Sequence, residues 1–219
     1  MVKKEQILKW LTNVAAVLEQ NKDYLTELDA AIGDADHGIN MNRGFQKVIS
    51  QLPGVANQDI SGILQTVSMT LISSIGGASG PLYGTLFLRA SAAVKGKQEL
   101  TAEDLAALLQ AGVDGVIQRG KAKLGDKTMV DALSPAADAF KQAISKGKRT
   151  VEALQQAVAA AEEGMKNTIP LVARKGRASY LGPRSAGHQD PGATSSYLIL
   201  KTLLETLFSH HSQQSTINN

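Results

Sequence analysis

Residues 60–85 read ISGILQTVSMTLISSIGGASGPLYGT. Ile60, Ile63, Leu64, Val67, Leu71 and Ile72 recur every three or four positions, the period of a helix with one buried face. The run breaks on Gly76, Gly77 and Gly80, and Pro81 suits the first turn of a following helix. A helix, a small-residue connection and a second helix make up this stretch. Followed outward in both directions, the same unit predicts an all-α chain.

Toward the amino terminus, Ile7, Leu8, Leu11, Val14, Ala15 and Leu18 predict an amphipathic helix. Tyr24, Leu25, Leu28 and Ile32 continue it in a shorter piece that ends at Gly33. Phe45, Val48, Ile49 and Leu52 predict another, stopped by Pro53 and Gly54. Toward the carboxyl terminus, Thr101 with Asp104 forms a capping box for a helix ending near Gly120. Met129 to Lys146 reads as helical, with Pro135 either inside it or marking its first turn. Thr150 with Glu152 opens an alanine-rich helix reaching about Lys175, and a last helix spans Ala193 to Phe208. No stretch shows the alternation of a strand. The expectation is about eight helices in one domain, residues 1–208, with a frayed polar tail at 209–219.

Composition narrows the function. The 219 residues carry a net charge of only +3, and no cluster of Lys and Arg is long enough to make nucleic acid the main partner. There is no cysteine, which excludes disulfides and thiolate metal sites and fits a cytoplasmic setting. The start, MVKKEQILKWLTNV, lacks the apolar core and cleavage site of a signal peptide. No apolar run approaches the roughly 18 residues of a membrane helix, so no membrane role is expected.

The glycines fall in the connections between helices, beside Asp, Ser, Arg and His. In an up-and-down helical arrangement alternate connections share an end, so chemistry can be collected there from distant segments. Four stretches qualify. In IGDADHGINMN, residues 32–42, Asp34 and Asp36 form a D-x-D pair, with Asp29 just upstream. A lone D-x-D is commonly a solvated turn. Three acids within eight residues, flanked by Gly33 and Gly38, favour a cation, and hard oxygen ligands without cysteine suit Mg²⁺ or Mn²⁺. An EF-hand is excluded because Phe45 stands where its closing Glu belongs. The second stretch, GGASGPLYGT at 76–85, offers backbone amides and Ser79 to an anion, although close helix packing explains the small residues equally well. It is neither a Walker A loop nor a nucleophile elbow.

The third stretch, ARKGRASYLGPRSAGHQDPGATS at 173–195, places Arg174, Lys175, Arg177 and Arg184 together, a patch suited to phosphate. Its His188 is a candidate ligand or base, though a lone loop histidine is more often neither. The fourth, RGKAKLGDKTMVD at 119–131, offers Met129 as an adaptable contact for a nucleoside. An acidic cluster, an anion loop and an arginine loop are the parts of a Mg²⁺–nucleotide site for phosphoryl transfer. No nucleophile stands out, so no catalytic residue is assigned.

These four motifs, in this order, closely resemble the nucleotide-binding L subunits of dihydroxyacetone kinases, over roughly residues 5 to 208. The resemblance implies an antiparallel eight-helix barrel with the nucleotide at one end. It implies that Asp29, Asp34 and Asp36 hold two Mg²⁺ ions. It implies that His37, Gly38, Ile39, Asn40, Ala78, Ser79, Gly120, Met129, Arg177, Asp190, Pro191 and Gly192 line ADP or ATP. A free-standing chain of this size resembles the phosphotransferase-dependent branch. There, bound ADP takes phosphoryl from a phosphohistidine-carrying M subunit and passes it to dihydroxyacetone held on a separate K subunit, with a transcriptional regulator as a further partner. The ATP-dependent branch, which exchanges free nucleotide and fuses this module to a K module, is the alternative within the family. A Mg²⁺-dependent all-α nucleotide hydrolase and a non-catalytic nucleotide sensor are the alternatives outside it.

Overall fold

The computed structural model describes the backbone of residues 1–215 and the side chains of residues 1–208. The tail expected at 209–219 lies outside the residues whose side chains are described.

Nine α-helices run through the described residues: α1 (Lys4–Gln20), α2 (Lys22–Ile32), α3 (His37–Val55), α4 (Ile60–Ser74), α5 (Ser79–Ala93), α6 (Ala102–Gly120), α7 (Val130–Ser145), α8 (Thr150–Asn167) and α9 (Pro191–Ser215). Only Asn21 separates α1 from α2, and its amide still donates to the Val17 carbonyl at 3.0 Å. Taken as one helix bent at Asn21, they bring the number to eight.

Each helix packs on the next, and α9 packs back on α1, so the ring closes. The closure is held by Trp10, whose indole N–H donates to the Ile199 carbonyl at 3.1 Å, and by Asn13, whose amide donates to the Thr206 hydroxyl at 2.9 Å. Inside the ring the a/d-like faces meet: Leu11, Leu18, Leu25, Phe45, Ile63 and Phe140 are fully enclosed. Each such side chain contributes about 1.5–3 kcal/mol through burial. The centre is filled rather than hollow, with a gap of about 50 Å³ among Trp10, Tyr83, Phe87 and Ile199.

Antiparallel packing puts the connections 33–36, 75–78, 121–129 and 168–190 at one end of the barrel. The connections 56–59, 94–101 and 146–149 lie at the other.

Several boundaries differ from the sequence reading. Two short strands exist, β1 (Val2–Lys3) and β2 (Glu99–Leu100), paired antiparallel at the end away from the 33–36, 75–78, 121–129 and 168–190 connections. Two residues each are too few to show alternation. Helix α3 runs through Pro53 to Val55, because a proline in a last turn gives up a single backbone bond. Helix α5 opens at Ser79, two residues before Pro81, still within the turn whose amides have no helical acceptor.

Pro135 lies inside α7, not in its first turn. The carbonyl it frees, that of Asp131, faces Gly164 of α8, where a Cβ would stand 2.0 Å from that oxygen. Gly164 therefore lets α7 and α8 come close. Helix α8 stops at Asn167 instead of about Lys175. Residues 168–176 are irregular and 177–185 form a kinked 3₁₀ segment, η1 (Arg177–Ser185).

Candidate functional site

Four chain segments far apart in sequence line one cleft of about 370 Å³ at the end where the connections 33–36, 75–78, 121–129 and 168–190 gather. Asp29 stands on the last turn of α2, and Asp34 and Asp36 on the connection to α3. One carboxylate oxygen from each lies within 4.8 Å of the others. Asp29 is buried, and its Oδ2 accepts the amides of Asp36 at 2.9 Å and His37 at 3.1 Å. The carboxylate is thus fixed against the start of α3. Gly33 permits this, since a Cβ there would stand 2.1 Å from Asp29 Oδ1. Ala35, between the other two acids, adopts φ 60°, a left-handed conformation disfavoured for a residue with a Cβ.

Three convergent carboxylates repel one another unless a cation stands among them. Among the described residues, the cation paired there is Arg177, whose Nε lies 2.9 Å from Asp34 Oδ2. The set offers hard oxygen donors with no sulfur, the chemistry of a Mg²⁺ site rather than a zinc site.

Opposite the acids, the cleft is lined by Gly76, Gly77, Ala78 and Ser79 at the start of α5. Helices α3, α5, α7 and α9 all begin at this end. The residues at the N-caps of the first three, Asp36, Ala78 and Met129, make no capping side-chain bond. At α3 the His37 amide goes to Asp29 Oδ2, and at α7 the Val130 and Asp131 amides go to Thr128, so it is the start of α5 whose amides and dipole favour an anion in the cleft. The residue at the N-cap of α9, Asp190, does cap: its Oδ2 accepts the Ala193 amide at 2.7 Å. Both readings of the 76–85 stretch hold at once. Gly80 and Gly84 serve packing, with hypothetical Cβ atoms 2.3 Å from the Ile75 carbonyl and 2.2 Å from Ile72, while the preceding residues face the cleft.

Of the residues proposed from sequence, Asp29, Asp34, Asp36, His37, Ala78, Ser79, Gly120, Met129, Arg177, Asp190, Pro191 and Gly192 line this cleft together. Gly38, Ile39 and Asn40 do not. Gly38 packs on α2, where a Cβ would stand 1.9 Å from the Lys22 carbonyl. Ile39 points to solvent, and Asn40 accepts from Arg43 at 2.7 Å. From the basic patch only Lys175 and Arg177 reach the cleft. The His188 side chain is exposed and does not line the cleft, while its backbone carbonyl accepts from Lys127.

Sequence reasoning missed a buried chain of hydroxyls behind the cleft. His37 Nε2 lies 2.8 Å from Ser195 Oγ and its Nδ1 3.3 Å from Ser79 Oγ. Tyr83 Oη in turn contacts Ser195 Oγ at 2.6 Å and Ser196 Oγ at 2.9 Å. The chain links α3, α5 and α9. Burial lowers the His37 pKa, against the opposing charges of Asp29 and Asp36. Burial also pushes the Tyr83 phenol up to about 12. Burial thus favours the neutral form of both groups.

Asp190 is also raised, to about 7. Burial is the main cause and Asp131 and Asp29 add to it, while the Ala193 amide and Lys127 oppose it. Lys127, Arg119, Leu82 and Val116 line the cleft as well. Tyr83 and Lys127 fall inside stretches already singled out, but nothing in the sequence separates them from their exposed neighbours.

With the geometry in hand, known proteins can be set beside it. A family model described as the DAK2 domain matches residues 31–205. The chain is 51% identical over 198 residues to the "PEP-dependent dihydroxyacetone kinase, ADP-binding subunit DhaL" of Escherichia coli strain K12, covering 90% of this chain and 94% of that relative. It is 42% identical to the "PTS-dependent dihydroxyacetone kinase, ADP-binding subunit DhaL" of Lactococcus lactis, covering 91% and 96%. Against the longer triokinase/FMN cyclase of Bos taurus, identity is 33%, with 92% of this chain matched to 34% of that one. Among solved structures, the dihydroxyacetone kinase of C. freundii in complex with AMP-PNP and Mg²⁺ superposes with a TM-score of 0.69 at 27% identity, over 91% of this chain and 33% of that one.

Proposed function

Because the chain belongs to the DAK2 domain family, in the branch of the dihydroxyacetone kinase ADP-binding subunits, we propose that the cleft binds Mg²⁺–ADP for phosphoryl transfer to dihydroxyacetone. The observation that carries the reading is the meeting, in one cleft, of three convergent carboxylates with the uncapped start of α5. One face attracts cations and the other attracts phosphate. A metal–polyphosphate is the ligand that satisfies both.

In this reading Asp29, Asp34 and Asp36 hold two Mg²⁺ ions, which neutralise phosphate charge when bound. Asp29 is kept in place by the amides of Asp36 and His37. The first-turn amides of α5 and the Ser79 hydroxyl orient the phosphates. Arg177 stands beside the acids, ready to pair with phosphate oxygen as well as with Asp34. Leu82, Val116 and Met129 give the cleft an apolar wall for the base. His37, clamped between Ser79 and Ser195, ties the phosphate loop to the metal loop. No cleft residue is required to form a covalent intermediate, so the chain's own work is positioning and charge.

A K subunit supplies dihydroxyacetone, and a phosphohistidine-carrying M subunit recharges bound ADP. A transcriptional regulator is a further partner for the same chain. Residues 1–208 form the functional unit, and a chain without cysteine fits a cytoplasmic subunit. No helix among the described residues is long and apolar enough to cross a membrane.

The test is calorimetric titration of Asp34→Asn with Mg²⁺–ADP. Affinity should fall on the order of tenfold or more. Metal-dependent affinity equal to that of the wild type would sink the metal assignment. Steady nucleotide turnover by the isolated chain would favour a hydrolase instead.

A further inference from the structure

The segment 168–190 leaves the barrel after α8, carries Lys175 and Arg177 over the cleft, and returns to start α9. Its two stems are joined at the base. The Gly187 amide donates to the Ile169 carbonyl at 2.7 Å, and the Asp190 amide to the Thr168 hydroxyl at 3.0 Å. Beneath them lies Lys127, from the connection between α6 and α7. Its ammonium donates to the Thr168 carbonyl at 2.6 Å and to the His188 carbonyl, one on each stem. A second link joins the same two connections: the Arg174 amide donates to the Asp126 carbonyl at 3.1 Å.

Lys127 is 1% exposed, and its backbone sits at φ 62°, in the left-handed region. Burying an ammonium on neutral carbonyls is expensive, and burial lowers its pKa against the opposing pull of Asp190 and Asp131. A surface-type residue held this way, in a strained backbone at the edge of a functional cleft, acts on the cleft. Its bonds are all to the loop that carries Arg177.

We propose that Lys127 is a positioning residue for the bound nucleotide: its ammonium clamps both stems of the 168–190 loop and so sets where Arg177 stands. The inference rests on the nucleotide reading of the cleft. Lys127 itself lines the cleft, so the test has to separate the effect of its own charge from one passed through Arg177.

A double-mutant cycle tests this, read by titration with Mg²⁺–ADP. Lys127→Met keeps the length and removes the donors, and should weaken binding on the order of tenfold. In an Arg177→Ala background the same change should have less than about a twofold effect, because the residue it positions is gone. Equal losses in both backgrounds would overturn the proposal, as a merely structural lysine predicts.

Hydrogen exchange reads the clamp without nucleotide. Faster exchange confined to the amides of 169–187 supports it, and unchanged exchange overturns it. Absence of Mg²⁺–ADP binding by the wild type would instead strike at the function, leaving exchange to judge the clamp. Should Lys127→Met not fold, Ser185→Ala takes its place in the same cycle. The Ser185 hydroxyl accepts the Ala173 amide at 2.8 Å and donates to the Gly182 carbonyl at 2.6 Å within the loop. Additive losses with Arg177→Ala would again overturn control of the site by the loop.

Discussion

At the end of the barrel away from the cleft, Asp59 caps α4 through the Gly62 amide at 2.7 Å and also takes the Gly96 amide at 2.6 Å. Thr101 and Asp104 close a capping box on α6, and Glu152 reaches back to the Arg149 amide at 3.2 Å. At the cleft end Asp36, Ala78 and Met129 hold the corresponding positions and cap nothing. The residues with a Cβ and positive φ among those described, Ala35, Lys121 and Lys127, all belong to the cleft end. So do the three converging carboxylates. The same helices finish in opposite ways. One end caps its helices locally, and the other leaves the start of α5 open and holds like charges and strained backbone together. Local rules of stability are kept where no ligand comes and broken where one does.

The largest expected effect probes the charge buried at the cleft end. Asp190 has an unfolded value near 3.8 and a folded value of about 7, so the native state holds a proton that the unfolded state releases. Its contribution is complete below about pH 4 and is lost as pH rises through about 7, a swing of at most about 4 kcal/mol. Asp190→Asn keeps an oxygen for the Ala193 amide and should flatten that slope. Urea unfolding at pH 5 and pH 8 measures it, and parallel wild-type and variant profiles would refute the assignment.

Next comes the far end, where Asp59→Ala removes a cap and a tie to Gly96. It should cost about 1–2 kcal/mol of stability and leave Mg²⁺–ADP affinity unchanged. A loss of affinity there would mean that the two ends are not separable. The smallest effect is expected from Ala35→Gly, which relieves a left-handed alanine and should raise stability by no more than about 1 kcal/mol. A clear loss of stability would show that the loop between the acids is not strained.

Much of this contrast was legible in the sequence, for physical reasons. Helices announce themselves through periodic burial, so Ile63, Val67 and Leu71 marked α4 without any knowledge of its partners. The Thr101–Asp104 box is a local interaction and was read correctly. Asp34 and Asp36 were conspicuous because no local role explains such crowding.

What stayed hidden depends on contacts between distant segments. Lysine sequences look alike whether the ammonium is solvated or, like that of Lys127, lies under two carbonyls 41 and 61 residues away. Tyr83 gives no sign that Ser195 waits 112 positions on. The end of α8 at Asn167 was misjudged because the residues beyond it are drawn into the cleft loop. His37 to Asn40 were proposed as a block, yet helical geometry lets one of them face the cleft while its neighbours turn away.

The closing contact of α9 on α1 has a consequence for the ancestry of the unit. Helix α1 starts, and α9 runs out, at the end remote from the cleft. Another module can therefore be spliced onto either terminus without approaching the ligand or opening the ring. An attachment at that end would leave the mouth of the cleft clear.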